Sequence, residues 1–210
     1  MQVISVNIGK PQAIQWKGKS FTTSIIKDPV CVPCRVSFEG VEGDQQSNVK
    51  VHGGETKAVY AYDVSYYENW KKILTRNDWK YVMFGENLTT SGLLDNEVKI
   101  GDVFQIGSAI IKAMEPRFPC SMLNVKFGLS TMVKLFTQQR QNGIYFKVIQ
   151  EGNIQTNDTI QLVEKSANAI TISDVVECYY SRGADKVLLH DILDIPYLPK
   201  KLRENLHTFL

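Results

Sequence analysis

With 210 residues, 43% of them hydrophobic and 22% charged, the chain is long enough for one domain plus an appendage around a real core. Its formal net charge of +2 argues against a nucleic-acid binder that works by neutralising phosphates, though local cations can still hold one anionic ligand. Met1 to Lys10 lacks the layout of a secretory signal and no apolar run reaches bilayer length, so a cytoplasmic protein off the membrane is expected.

Taken in order, the first hundred residues read mostly as β. Val3 to Ile8 alternates and stops at Gly9. Ala13–Trp16 and Phe21–Ile26 flank Lys17-Gly18-Lys19, a hairpin turn candidate. Val30 to Phe38 reads as one strand, followed by a turn-rich stretch from Gly40 to Gln46, then His52-Gly53-Gly54 and a short strand, Val59–Tyr62. Ser65 to Leu74 predicts a helix: Ser65 and Glu68 have capping-box spacing, and Tyr66, Trp70, Ile73 and Leu74 share a face that reads as core.

Val103–Ile106 and Ala109–Met114 read as a hairpin about Gly107-Ser108. Ser121–Phe127 is a possible helix, Ser130–Gln139 a second helix that Gly143 ends, and Ile144–Ile149 and Thr159–Val163 are strands. From Ser173 the patterning turns helical. The spacing predicts three short helices, about Ser173–Tyr180 with Ser173 or Asp174 as cap, about Asp185–Leu193, and one starting at Pro199. The expected architecture is mainly β with α: many short strands in a closed or nearly closed barrel over residues 1–165, and a three-helix appendage over 166–210.

Four cysteines without a secretory signal are expected as free thiols. Cys31-Val-Pro-Cys34 has no second pair or histidines at zinc spacing, and it sits in a strand rather than opening a helix, so it reads as coincidence rather than as a zinc or thioredoxin-like site. Cys120 is different. It follows a strand in Glu115-Pro116-Arg117-Phe118-Pro119-Cys120, a corner stiffened by two prolines. Arg117 and the start of a helix there would favour thiolate, the form that reacts and binds metals. The plain alternative is a small buried residue after a loop, with Arg117 in a structural ion pair.

Several blocks together resemble MOSC-domain proteins. Gly43-Asp44-Gln45-Gln46, His52-Gly53-Gly54 and Lys57-Ala58-Val59 are similar to one signature of that family, Phe84-Gly85-Glu86-Asn87-Leu88-Thr89 to a second, and Ile100-Gly101-Asp102 to a third. Glu115 to Cys120 resembles its cysteine motif, Gly143 to Val148 with Glu151-Gly152 resembles a further block, and the tail from Ser173 is similar to that of the YiiM-like branch. Ser121, Met122 and Ile144 depart from the pattern, which bears on substrate preference.

The resemblance implies a MOSC β-barrel, a molybdenum cofactor (molybdopterin) with Cys120 as the molybdenum ligand, and reduction of N-hydroxylated compounds such as hydroxylamino-purines and amidoximes. Electrons would come from a separate electron-donating reductase; neither pyridoxal phosphate nor an iron–sulfur cluster is expected. A soft thiolate suits molybdenum held by a dithiolene. Arg117, Lys27 and Arg140 are candidate anchors for the pterin phosphate. Asn87 matches a position near the cofactor and suits a pterin edge, or else pins a turn. His52 is a candidate proton donor, or a turn histidine. Other readings of the same residues are a persulfide-carrying sulfur carrier, a cofactor-binding module without turnover, and a Cys120–His52 hydrolase.

Overall fold

The computed structural model describes residues 1–45 and 53–210. In chain order the strands are β1 (Gln2–Ile8), β2 (Gln12–Trp16), β3 (Lys19–Thr23), β4 (Asp28–Val30), β5 (Cys34–Ser37), β6 (Gly40–Val41), β7 (Val59–Asp63), β8 (Leu88–Ser91), β9 (Val103–Ile106), β10 (Ala109–Pro116), β11 (Ile144–Gln150), β12 (Gly152–Ile154) and β13 (Ile160–Glu164). Eight of them make one sheet in the order β13-β9-β10-β11-β7-β8-β1-β4. The β2–β3 hairpin and the trio β12-β5-β6 stand as separate small sheets.

Every pairing in the large sheet is antiparallel except β7 with β8. Parallel neighbours need a crossover, and here it carries α1 (Val64–Ile73) followed by residues 74–87. That crossover delivers the Phe84–Asn87 turn to the start of β8. Asp63 caps α1, its carboxylate accepting from Ser65 N at 2.9 Å, so the cap lies two residues before the Ser65 expected from the capping-box spacing. The buried face is Tyr66, Tyr67 and Trp70; Ile73, expected inside, is exposed.

Two cores result. One fills the sheet with side chains such as Val6, Phe104, Ile111 and Phe146, and the apolar faces of α4 (Ile172–Tyr180), α5 (Lys186–Leu193) and α6 (Lys200–His207) close onto it. The other is aromatic: Tyr60, Tyr62, Tyr67, Trp70, Phe84 and Phe136 pack between α1, α2 (Met122–Phe127) and α3 (Met132–Gln139). Ring pairs there sit at 4.5 to 6.3 Å. Burying each such side chain contributes about 2–3 kcal/mol, which is what makes helices of six to ten residues stable here.

The strand expected over Val30–Phe38 is in fact two, β4 and β5, in different sheets. The break falls at Cys31–Pro33, so the Cys-x-x-Cys is a link between strands, with Cys31 exposed and Cys34 buried. The cap of α4 is Thr171, in a reciprocal capping box with Asp174, rather than Ser173 or Asp174. Among the described residues the large sheet, expected as a closed or nearly closed barrel, is a ladder with two ends that does not close. No strand pair joins β4 to β13, but the start of β1 draws the β13 end back towards it. Ile160 N donates to Met1 O at 2.9 Å, and Val3 N to Asp158 O at 2.9 Å. β4 covers only the Val6–Ile8 end of β1, which leaves the edge at residues 1–3 for those bonds. No described helix is long and apolar enough to cross a membrane.

Candidate functional site

β10 and β11 pair as far as Pro116 with Ile144. Beyond that pair the chain turns out of the sheet, and the turn is fastened from the β11 side. Arg117 N donates to Gly143 O at 3.1 Å, and Asn142 Nδ2 donates to Arg117 O at 2.8 Å. Cys120 follows, half-buried, its carbonyl accepting from Leu123 N at 3.0 Å as α2 begins. Leu123 is fully buried in the aromatic core and anchors α2. The helix is only six residues long and has no side-chain cap, so the expected field from a helix start at the thiol is not what distinguishes this corner.

A cavity of about 470 Å³ opens at Cys120. Of the residues expected at a site, Cys120, Arg117, Lys27 and Asn87 all line it. Arg140 does not: it ends α3 in a left-handed conformation, pairs with Glu177 at 3.2 Å and lies over the Tyr180 ring. His52 and Gln46 lie outside the described residues.

Arg117 is the unusual member. It is 4% exposed, lies over the Tyr60 and Phe136 rings at 5.6 and 5.2 Å, and its Nη1 has no hydrogen-bond partner among the described residues. No carboxylate pairs with it among the described residues. Burial works against its charge, while Tyr60, Tyr145 and Cys120 work for it, and the balance holds it above its ordinary value. A buried donor without a partner is costly in a finished protein, and at a cavity wall an anionic ligand group would satisfy it.

Another part of the lining is organised by Asp44. One oxygen of its carboxylate accepts from Gly9 N at 2.8 Å and from Lys27 Nζ, the other from Asn87 Nδ2 at 2.9 Å. Lys27 is 7% exposed; burial lowers its pKa and Asp44 acts in the other direction. Asn87 is held from several sides. Its amide also donates to Asn7 O at 3.4 Å, and its Oδ1 accepts from Tyr60 N at 3.2 Å. Next to it, the fully buried Glu86 accepts from Tyr67 Oη, Val82 N, Phe84 N and Thr89 Oγ1. The Phe84–Thr89 block is therefore a turn knotted around one carboxylate, and the turn sets Phe84, Gly85 and Asn87 at the cavity.

Three residues outside the expected set matter. Tyr145 lines the cavity, and burial pushes its hydroxyl up to about 12 against the pull of Arg117. Lys57 also lines it, 3.8 Å from Glu115 and over the Tyr145 ring at 5.6 Å. Lys126 on α2 donates to the carbonyls of Ile25, at 2.8 Å, and Val82, tying together three segments around the cavity; burial drives its pKa down to about 7. Tyr145 and Lys57 lie inside the quoted sequence blocks but were singled out by no spacing rule. Lys126 lies six residues past the cysteine, on a helical face no motif marks.

A thiol, a buried guanidinium with a free donor and further cations on one cavity of this size fit a phosphate-bearing, metal-dithiolene cofactor. Arg117 and Lys57 would hold its anionic part, and Cys120 its metal.

Comparison with known proteins gives the same direction. Residues 48–161 match the MOSC domain. YflK of Bacillus subtilis is 34% identical over 202 residues, which cover 96% of this chain and 87% of YflK. A Gibberella moniliformis protein named reductase is 30% identical over 182 residues; they cover 85% of this chain but 32% of that protein. The crystal structure of YiiM from Geobacillus stearothermophilus superposes with a TM-score of 0.84 at 31% identity, covering 100% of this chain and 98% of that one.

Proposed function

The chain belongs to the MOSC-domain family, in its YiiM-like branch, and on that premise we propose that it reduces N-hydroxylated compounds such as hydroxylamino-purines and amidoximes. In this reading the molybdenum cofactor occupies the 470 Å³ cavity with Cys120 as the protein ligand of the metal. The reaction takes R–NHOH, two electrons and two protons to R–NH2 and water: the N–O bond breaks, nitrogen is reduced, and the oxygen leaves as water. A separate electron-donating protein supplies the electrons. The observation that carries the reading is that the buried Arg117, whose Nη1 has no partner among the described residues, lines the same cavity as Cys120. The name of the fungal relative, a reductase, supports it.

When bound, the cofactor supplies a metal that accepts electrons from the donor and delivers them to the N–O bond. The chain's own residues do the rest. Cys120 offers a soft sulfur at a corner that Pro116, Pro119 and the Asn142–Arg117 bond keep in place. Arg117 is too basic to lose its proton and meets an anionic group with a donor it need not take from elsewhere. Tyr145 lines the cavity beside Arg117 and keeps its proton up to about 12, so it is a neutral phenol that would donate to the departing oxygen. Asn87 keeps Asp44 and Lys27 in register rather than facing the ligand alone.

The test is to produce the chain in a host that makes the cofactor, measure molybdenum and pterin, and follow reduction of a hydroxylamino-purine with an added donor. Stoichiometric molybdenum and turnover, with turnover lost in Cys120→Ala, is the expected result. Bound cofactor without turnover from several donors points to a carrier module. A persulfide on Cys120 with no molybdenum overturns the reading in favour of sulfur transfer.

A further inference from the structure

We propose that the surface around the cavity mouth docks an acidic electron-carrier protein, one bearing a reduced flavin or iron–sulfur cluster; this rests on the reductase reading above. The charge is distributed unevenly. The whole chain is near neutral, with 24 basic and 22 acidic residues. Yet residues 1–27 and 116–150 contain no Asp or Glu at all, and these stretches hold the β2–β3 hairpin, Lys27, Cys120, α2 and α3. Between Glu68 and Glu86 the one acid is Asp78, and Arg76 holds it in a two-pronged bridge at 2.6 and 2.7 Å.

The fold gathers these acid-free stretches at one place. Phe21, Thr22 and Thr23 at the end of the hairpin line the cavity. Lys17 at its tip donates to Ser130 Oγ at 2.9 Å, on the turn between α2 and α3. Lys134 follows one helical turn later on α3. Lys80, on the crossover, is close enough to act electrostatically on Lys126 of α2. Lys17, Lys19, Lys80 and Lys134 are all exposed, and among the described residues none has an acidic partner within ion-pair distance. Other cations of the same stretches, Arg140 and Lys147, are instead bridged to Glu177 and Glu55.

An unneutralised basic rim around a cavity raises the encounter rate of an acidic partner by about 10- to 1000-fold and orients it. Electron transfer asks for a short-lived contact made and broken each turnover. Charge steering without a large apolar patch supplies that.

The test uses the full-length loaded protein and the variant Lys17→Glu, Lys19→Glu, Lys134→Glu. The probes are an acidic, reduced flavodoxin-type FMN protein and dithionite. The wild-type protein is expected to bind the FMN protein more weakly as salt rises from about 0.05 to 0.3 M. The triple variant is expected to bind it at least about 10-fold more weakly at low salt and with little further salt dependence. Carrier-driven kcat/KM should fall in parallel through KM for the carrier, while dithionite-driven reduction stays within about twofold. Binding insensitive to the three reversals overturns the proposal, as does an equal loss with dithionite. So does tighter binding of a short DNA duplex than of the FMN protein at the same salt, which would make the rim a polyanion surface. Failure of both donors with the wild-type protein would refute the reductase reading, and the binding measurement still decides the docking surface.

Discussion

Asn87 Nδ2 donates to Asp44 Oδ2 at 2.9 Å, across 43 residues of chain, and Asp44 in turn holds the buried ammonium of Lys27. The asparagine of the Phe84–Thr89 block thus acts through a carboxylate on a lysine of the cavity wall. Removing Asp44 strands Lys27 in a site where it is 7% exposed. Asp44→Ala is expected to lose about 3–5 kcal/mol, the range for breaking a buried ion pair. Asn87→Ala should lose about 1–3 kcal/mol, because Asp44 Oδ2 and Tyr60 N each lose a partner. Urea unfolding with an unchanged denaturant slope measures both. A loss below about 0.5 kcal/mol for Asn87→Ala would mean the amide is not holding the wall.

Arg117 carries the opposite balance. Its guanidinium is buried and has no carboxylate partner among the described residues, so its charge costs stability in the ligand-free protein. Arg117→Met keeps most of the volume and removes the charge. The ligand-free variant is expected to be more stable by about 1–3 kcal/mol, raising Tm by several degrees, while cofactor content falls by at least tenfold. Thermal unfolding of ligand-free protein and metal analysis of loaded protein read the two effects separately. A variant that is less stable without ligand would show that the contacts of the guanidinium with Tyr60, Phe136 and Tyr145 outweigh the cost of its buried charge.

How much of this was legible beforehand depended on whether the cause was local. The Cys120 corner is written in contiguous residues: two prolines, an arginine and the end of an apolar strand. Helices over 64–73, 132–139, 172–180, 186–193 and 200–207 announce themselves by 3.6-residue spacing, and their expected starts lie one or two residues from the observed ones. The misses are tertiary. Nothing near Asn87 in sequence says that its amide reaches Asp44, 43 residues away. Val30–Phe38 looks like one strand because its alternation is continuous, yet β4 needs an edge of β1 while β5 needs β12, and the chain breaks at Cys31–Pro33 to reach both. Arg140, a plausible anion anchor from composition, is occupied by Glu177 on a helix 37 residues on. Tyr145 lines the cavity because of how β11 packs, and Lys126 ties the segments at Ile25 and Val82 to α2, which no spacing rule reports.

Gly143 shows how tightly the corner is drawn. It has φ +72°, and a Cβ there would meet Ala61 O at 2.5 Å and the Tyr60 and Tyr62 rings at 2.8 Å. Its carbonyl holds Arg117 N and its amide holds Asp95. Gly143→Ala should therefore cost about 3 kcal/mol or more, combining left-handed strain with a backbone clash. Gly18 has a similar φ of +73° but open space around it, so Gly18→Ala should cost only about 1 kcal/mol. Parallel denaturation of the two variants separates clash from strain. Equal losses would mean that the β7–β11 contact yields, and that the corner is softer than its packing indicates.

Asp95 supplies a dependence on pH. Oδ2 accepts from Asn142 N and Gly143 N at 2.8 and 2.9 Å, Oδ1 has no partner among the described residues, and Asp95 N donates to the Tyr66 hydroxyl at 2.8 Å. Burial pushes this carboxyl from 3.8 up to about 6; hydrogen bonding from Gly143, Asn142 and the Tyr66 side chain pulls it down, and the nearby Asp63 adds to the rise. Between those values the folded chain holds a proton that the unfolded chain has released. The group's contribution to stability is therefore complete below about pH 4 and is lost as pH rises through about 6, amounting to about 3 kcal/mol. Asp95→Asn keeps an oxygen for the two backbone donors but cannot titrate. Relative to wild type, the variant should gain about 3 kcal/mol in stability between pH 4 and pH 7, read from urea midpoints across that range. Parallel curves for the two proteins would show that Asp95 is ionised throughout. In that case the Asn142–Gly143 corner, and with it the Arg117 carbonyl, is held by a charge and not by a neutral acid.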